Sequence, residues 1–239
     1  MVKFNRVISA CVAHRKRIFY IILLLDLIML ILHLTLAPHT WFFHLDEEMN
    51  LPTIYQSLKL IIFGAMFFMI PQVRTVVKEL KLFLRTLGLG MIALGIDEGF
   101  QIHENIYRIF EWFPWLHPSR IVEVSMTMGY RSSLWILYYL PIIFLFVLWL
   151  GYWTRYFQKT IPYNFKLILI AGVSLFLVLL TEIMSSTGEF SHHWYFWLIT
   201  IEEMAELIFA TSLVGLGLIS LGSKKQQSSG EDDKISHAR

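Results

Sequence analysis

Cysteine is nearly absent from this chain: Cys11 is the only one among 239 residues. A framework of intrachain disulfide bonds and a zinc site built from thiolates are therefore excluded. A serine nucleophile elbow, an HExxH sequence and a glycine-rich phosphate loop are also missing, so no familiar class of hydrolase or nucleotide-binding protein is indicated. The net charge of +2 gives no support for nucleic-acid binding.

Charged residues are scarce as well. They make up 16% of the chain, whereas 56% of it is hydrophobic and the mean hydropathy is +0.58. This composition is typical of membrane proteins. We therefore predict an all-α fold in which residues 1–221 form one polytopic helical domain. The segment 222–239 is polar and rich in serine and charge, which predicts a disordered cytoplasmic tail.

Six stretches are apolar enough, and at about 20 residues long enough, to cross a bilayer. The predicted transmembrane helices are 18–37, 52–71, 83–108, 133–154, 165–186 and 195–221. The first is longer than a signal-peptide core and no small-residue cleavage site follows it, so we interpret it as a retained span. Asn50 is expected to cap the second span, with Pro52 in its first turn. The fourth span shows no chemistry in its sequence.

Lysine and arginine are distributed unequally between the two sides of these spans. Sixteen of the twenty lie in the N-terminal segment, the second and fourth loops and the tail, whereas only Arg108, Arg120 and Arg131 lie on the opposite side. Because cytoplasmic loops of membrane proteins carry the excess of basic residues, we predict that both termini are cytoplasmic.

The third predicted span contains an unusual polar stretch. If the helix is continuous, Asp97, Gln101, Glu104 and Arg108 lie on one face at spacings of i, i+4, i+7 and i+11, with Glu98 and His103 on either side. A charged side chain in mid-membrane costs about 2.5 to 3.5 kcal/mol on insertion scales, and such residues often belong to functional sites. The stripe is therefore a candidate functional site.

Other ionisable residues are predicted to reach the same depth, in the outer half of the bilayer. They are Glu182, Glu189, His192 and His193 around the end of span five, Glu202, Glu203 and Glu206 early in span six, and Glu48 and Lys59 around the start of span two. Lys59 is expected to pair with a buried carboxylate, because it lies well below the outer surface. We predict that these residues form one shared polar site.

Carboxylates packed this densely cannot all be ionised at low dielectric, so they must share protons, pair with basic residues or bind a cation. Carboxylate and imidazole ligands suit a divalent metal ion, namely Zn, Mn or Fe, and a carboxylate-only subset would suit Ca. The predicted roles are catalytic for Glu98, Glu104 and Glu203; metal-binding for Asp97, His103, Glu182, Glu202 and Glu206; charge-balancing for Lys59 and Arg108; and peripheral at the rim for Glu48, Glu189, His192 and His193.

Three functions fit this pattern. A membrane-embedded hydrolase-like enzyme would use the site, with a bound metal, on a lipid or lipid-linked substrate. A proton- or cation-coupled transporter would bind and release its cargo there, and a structural or assembly protein would use a buried ion-pair network to fix helix packing. A polar track reaching Asp26 and the inner loops would favour transport. The inner halves of the spans are apolar apart from Asp26, which argues against a continuous pathway.

Three motifs, Asn50-Leu-Pro-Thr53, Asp97-Glu98 with His103-Glu104, and Glu202-Glu203 with Glu206, resemble those of a group of uncharacterised bacterial multipass membrane proteins. The resemblance covers residues 40–215 and implies a protein of the bacterial inner (cytoplasmic) membrane, with no established activity. A looser likeness to alkaline ceramidase-type membrane hydrolases rests on the acidic stretch. Those proteins have seven spans and a histidine pattern on the last helix, which this chain lacks.

Overall fold

A computed structural model describes residues 2–37, 39–45, 49–73, 76–103, 105–106, 135–160, 162–187 and 190–221. The α-helices are α1 (Val2–Ala13), α2 (Arg15–Leu36), α3 (Leu51–Val73), α4 (Lys78–Phe100), α5 (Trp135–Thr160), α6 (Pro162–Thr187) and α7 (His192–Ser220). A short 3-10 turn, Trp41–Phe43, lies between α2 and α3. The described residues contain no β-strand, so the predicted all-α fold is confirmed for this part of the chain.

Five helices, α2, α3, α5, α6 and α7, are long and apolar enough to cross a membrane. This agrees with five of the six predicted spans and indicates a multi-pass membrane protein. The remaining predicted span, 83–108, falls on α4. This helix is long enough to cross a membrane but carries charged residues at both ends. Its charged residues are Lys78, Glu79, Lys81, Arg85, Asp97 and Glu98.

The prediction of one continuous helix over 83–108 is wrong. Helix α4 ends at Phe100, and Gln101 has a positive φ of 53°, in the left-handed region that ends helices. The chain then turns, and the Asn105 N–H donates to the Gln101 carbonyl at 3.2 Å. Gln101 and the residues after it therefore do not continue the α4 face that carries Asp97, and the predicted stripe does not exist as one helical face.

Helix α7 forms the centre of the bundle. It packs against α2, α3, α4 and α6, and two thirds of its most apolar stretch is buried. Helix α5 packs mainly against α6 and is the least buried of the five apolar helices. The end of the bundle where α2, α4 and α6 finish and α3, α5 and α7 begin is the one predicted to lie at the outer face, and we call it the outer end.

Helices α3 and α4 pack closely because glycine allows their backbones to meet. A Cβ atom built on Gly88 would lie 2.6 Å from the Gly64 carbonyl oxygen, and one built on Gly64 would lie 2.8 Å from the Gly88 oxygen. Small residues at such crossings let membrane helices approach without intervening side chains. The pair is fixed further at its outer end, where the Ser57 hydroxyl donates to the Gly95 carbonyl at 2.7 Å. This packing places the end of α4 beside α3.

The turn before α3 follows the sequence prediction. The Asn50 side-chain oxygen accepts the Thr53 backbone N–H at 3.2 Å, so Asn50 is the predicted cap. Its amide nitrogen donates to the Trp41 and His44 carbonyls, which ties the 3-10 turn to the helix start. The predicted tail, 222–239, lies outside the described residues.

Candidate functional site

Asp97, in the last turn of α4, is held from two directions. Its Oδ1 accepts a hydrogen bond from the Tyr139 hydroxyl of α5 at 2.6 Å, and its Oδ2 lies 3.1 Å from His103 Nδ1. The left-handed residue Gln101 makes the second contact possible, because it ends the helix and lets the following residues fold back over it. Each carboxylate oxygen therefore has a partner, and Asp97 orients the imidazole.

The pairing decides which nitrogen of His103 is available. Because an ionised carboxylate only accepts, Nδ1 carries a proton, and in the neutral form of the ring Nε2 carries the lone pair. The edge of the ring contacts Trp135, with centroids 5.6 Å apart. Trp135 in turn donates from Nε1 to Glu182 Oε1 at 3.2 Å, which joins α6 to the same group. The side chains of Asp97 and His103 are about one fifth exposed, so the pair is accessible but largely desolvated.

Further carboxylates surround this imidazole. Glu98 and Glu206 both lie close enough to act electrostatically on His103. In α7, Glu202 is buried, whereas Glu203 and Glu206 are half-buried. Of the predicted site residues, the structure thus brings Asp97, His103, Glu98, Glu182 and Glu206 into one neighbourhood at the outer end. We call this neighbourhood, together with Tyr139 and Trp135, the Asp97–His103 site.

Not every predicted site residue belongs to this neighbourhood. His192 and His193 are exposed at the start of α7, where His193 contacts the rings of Trp194 and Trp197. Glu48, Glu104, Arg108 and Glu189 lie outside the described residues. Within the described part of the chain, no three His, Cys, Asp or Glu side chains are grouped as a metal ion would need. The predicted metal ligands are therefore not gathered into one ligand set among the described residues.

Lys59 has its own partner deeper in the bundle. Its Nζ donates to Asp26 Oδ1 at 3.0 Å and to Thr211 Oγ1 at 3.1 Å, and it lies 4.9 Å from the centre of the Tyr55 ring. The prediction that Lys59 pairs with a buried carboxylate is confirmed, and the carboxylate is Asp26. Tyr55 donates to Asp26 Oδ1 at 2.7 Å, and Thr211 donates to Oδ2. This ion-pair network links α2, α3 and α7.

A third polar group at the outer end contains His33, which is fully buried. The Leu45 N–H donates to His33 Nδ1 at 3.1 Å, so Nδ1 is the accepting nitrogen and the ring proton lies on Nε2. Nε2 lies 3.0 Å from Thr200 Oγ1, whose own hydrogen goes to the Phe196 carbonyl at 2.7 Å. Both ring nitrogens are occupied, so this histidine joins the α2–α3 turn to α7.

The contribution of α5 differs from the prediction that the fourth span shows no chemistry. Tyr139 binds Asp97 and Trp135 contacts both His103 and Glu182. Tyr and Trp near a helix end are typical of interfacial anchors, so residue type alone did not indicate these roles. The available signal was their spacing, since positions i and i+4 share a helix face.

Toward the inner end, the interior becomes apolar. Phe67 and Ile70 of α3 and Phe83 and Leu84 of α4 are fully buried and belong to the main hydrophobic core. A polar contact in this half joins one pair of side chains on neighbouring helices: the Asn164 side-chain amide of α6 donates to the Ser220 hydroxyl of α7. The polar groups of the outer end and the ion-pair network therefore lead into a hydrophobic core, as far as the described residues extend.

Comparison with curated proteins and with solved structures gave no match. A family model described as Domain of unknown function (DUF8692) matches residues 17–219. This range extends from the first turn of α2 to the last turn of α7 and contains all three polar groups described above. The chain therefore belongs to the DUF8692 family.

Proposed function

We propose that this chain is a multi-pass membrane enzyme that hydrolyses a lipid or lipid-linked substrate at its outer face, with His103 as the general base. The observation that carries the proposal is the hydrogen bond between Asp97 Oδ2 and His103 Nδ1. A carboxylate on Nδ1 fixes the tautomer and the orientation of an imidazole that accepts a proton at Nε2. Tyr139, on the other oxygen, keeps the carboxylate in place.

The chemistry follows from this arrangement. His103 Nε2 takes a proton from a water molecule, whose oxygen attacks the carbonyl or phosphoryl centre of the substrate. The resulting imidazolium is stabilised by Asp97 and by the nearby charges of Glu98 and Glu206. It then returns the proton to the leaving oxygen or nitrogen, which restores the neutral ring. Glu98 and Glu206 act electrostatically on the imidazole, and Asp97 is a positioning residue.

A divalent metal ion fits the same pair. Histidines that bind a metal through one ring nitrogen usually donate the other N–H to a carboxylate, as His103 does to Asp97. The metal would supply Lewis-acid chemistry at the substrate oxygen, and an imidazole ligand favours Zn, Mn or Fe over Ca. In that version, Asp97 supports His103 and does not itself bind the metal, because both of its oxygens have partners.

The other two functions have less support. For transport, polar side chains do reach Asp26 and Lys59, but beyond them the described interior is the core around Phe67 and Phe83. A structural role accounts well for the ion-pair network, in which Asp26, Lys59 and Thr211 are buried and hydrogen-bonded to one another. It accounts less well for the Asp97–His103 site, which is partly exposed.

The proposal is tested with the purified full chain in vesicles of mixed phospholipids, with mass spectrometry of the products released. We expect a turnover that falls by about 10²- to 10⁴-fold in His103→Gln and Asp97→Asn, the usual range for the loss of general-base catalysis. His193→Gln is the matched control, because His193 is exposed at the same end of the bundle. Unchanged turnover in His103→Gln, or no turnover on any lipid by the native chain, would overturn the proposal. Elemental analysis of the native chain and His103→Gln tests the metal version separately.

The same proposal includes α4 as one of six membrane spans. It also places both termini in the cytoplasm and the protein in the bacterial inner membrane. It is supported by the distribution of basic residues and by the length of α4. After Cys11 is replaced by serine, single cysteines at the exposed positions His39 and Lys78 test the topology with a membrane-impermeant maleimide. In intact cells, we expect labelling of His39→Cys but not of Lys78→Cys. The reverse pattern, or equal labelling, would contradict this topology.

A further inference from the structure

Helix α5 carries an open groove of about 660 Å³ on its surface, far from the Asp97–His103 site along the helix. Its lining residues form two rows at spacings of four residues. One row includes Gly151, Arg155 and Lys159, and the other includes Tyr152 and Tyr156. Residues spaced by four lie along one ridge of a helix, so the groove runs between two neighbouring ridges.

The groove has an apolar part and a basic part. Val147 and Leu148 line its upper end, toward the middle of the helix, and Gly151 leaves a gap in the ridge. A Cβ atom built on Gly151 would meet no atom within 4 Å, so the gap is open to the surroundings of the helix. Below it, Arg155 and Lys159 are both exposed, and Tyr152 is 59% exposed.

The position of the basic part matches the edge of a bilayer. Arg155 lies twenty residues after Trp135, a rise of about 30 Å at 1.5 Å per residue, which equals the thickness of the hydrocarbon core. The apolar part therefore lies at the depth of acyl chains and the two cations lie at the depth of headgroups. Glu79 of α4 acts electrostatically on Tyr156 at this face. The residues that line the groove include two cations, Arg155 and Lys159, and no acid.

We propose that this groove binds one anionic phospholipid, with its phosphate between Arg155 and Lys159 and an acyl chain along Val147, Leu148 and the gap at Gly151. Arginine and lysine are the side chains that recognise phosphate oxygens, and basic pockets at the headgroup level of membrane helices bind anionic lipids. Tyr152 and Tyr156 lie within one helical turn of Arg155, and their side chains suit the polar part of the headgroup. The proposal does not depend on the enzymatic function.

The test uses the full chain purified in detergent and equilibrated with equal amounts of phosphatidylglycerol and phosphatidylcholine, with native mass spectrometry of the lipids retained. We expect the native chain to prefer phosphatidylglycerol by roughly tenfold, in line with two basic residues near the headgroup. The double variant Arg155→Gln/Lys159→Gln should lose this preference. The matched control, Lys16→Gln/Arg17→Gln, removes two exposed basic residues from the start of α2 and should keep it.

A second variant tests the groove without changing charge. Gly151→Leu fills the gap in a position where nothing opposes the new side chain, so folding should be unaffected and lipid retention should fall severalfold. An equal loss of preference in both double variants would show general charge attraction and overturn the proposal, as would unchanged retention in Gly151→Leu. Competition by soluble glycerol phosphate would identify a site for a free phosphate and would equally overturn it.

Discussion

Lys59 and Asp26 form an ion pair in the interior of the bundle, with 3.0 Å between Nζ and Oδ1 and side chains only 4% exposed or less. The pair joins α3 to α2, and Thr211 of α7 hydrogen-bonds to both charges. Two opposite charges in an apolar interior are tolerated when they have each other and further polar partners, whereas one charge left alone there is costly. Together with Tyr55, these residues form a network that fixes α2, α3 and α7 to one another beneath the Asp97–His103 site.

This ion-pair network predicts that removing one charge destabilises the protein more than removing both. Lys59→Met leaves the Asp26 carboxylate buried with only neutral donors, and we expect a loss of about 3 to 5 kcal/mol in the free energy of unfolding. Asp26→Asn/Lys59→Met removes both charges and should recover a large part of that loss. SDS titration of the detergent-purified chain measures both values. Lys166→Met changes an exposed lysine and serves as the control, and a double variant less stable than Lys59→Met would contradict the prediction.

The contact between α3 and α4 predicts opposite effects for two glycines on one helix. Gly88→Ala places a Cβ atom 2.6 Å from the Gly64 carbonyl oxygen, so the helices must separate at a cost of about 1 to 3 kcal/mol. Gly90→Ala meets no atom within 4 Å and should be neutral or, through helix propensity, stabilising by up to about 1 kcal/mol. Thermal unfolding of the two variants in the same detergent provides the comparison. Equal melting temperatures would show that the close approach is not required.

The His33 group predicts that two threonines with the same local bond differ in importance. Thr200 and Thr35 both donate to the carbonyl four residues earlier, but only Thr200 also contacts His33 Nε2. Thr200→Val should cost about 1 to 3 kcal/mol because the buried imidazole N–H loses its acceptor. Thr35→Val, at an exposed position, should leave the unfolding free energy nearly unchanged. A similar, small effect of both substitutions would contradict the assigned hydrogen bond.

The bond from Tyr139 to Asp97 predicts a measurable effect at a residue outside the sequence-derived site. Tyr139→Phe removes the donor on Oδ1, and hydrogen bonds to charged groups contribute about 1.5 to 3 kcal/mol. We expect the free energy of unfolding to fall by about 1.5 to 3 kcal/mol. Lipid turnover should fall less than in His103→Gln, because the imidazole keeps its own bond to Oδ2. Tyr20→Phe, at a mostly exposed position of α2, is the control. Tyr139→Phe with native stability and turnover would remove Tyr139 from the site.

The sequence by itself determined the helical class and the residues that must be buried in pairs. Hydrophobic stretches of about 20 residues satisfy their backbone groups within a helix, so the approximate bounds of α2, α3, α5, α6 and α7 are readable without a structure. The need of Lys59 for a carboxylate also follows from one residue in its surroundings, because an unpaired buried charge is too costly. The same argument identified Asp97, Glu182, Glu202 and Glu206 as residues to account for.

Only the tertiary structure decided which partners those residues have. Gln101 leaves the negative φ of a helix for a left-handed φ of 53°, and this change at one residue turns His103 back onto Asp97, where a continuous helix would have kept the two apart. Tyr139 and Trp135 belong to the site because α5 packs beside the ends of α4 and α6. Their spacing of four residues predicts a shared helix face, but it does not show which helices that face contacts. Asp26 became the partner of Lys59 for the same reason, since helix packing brings together residues that the sequence keeps distant.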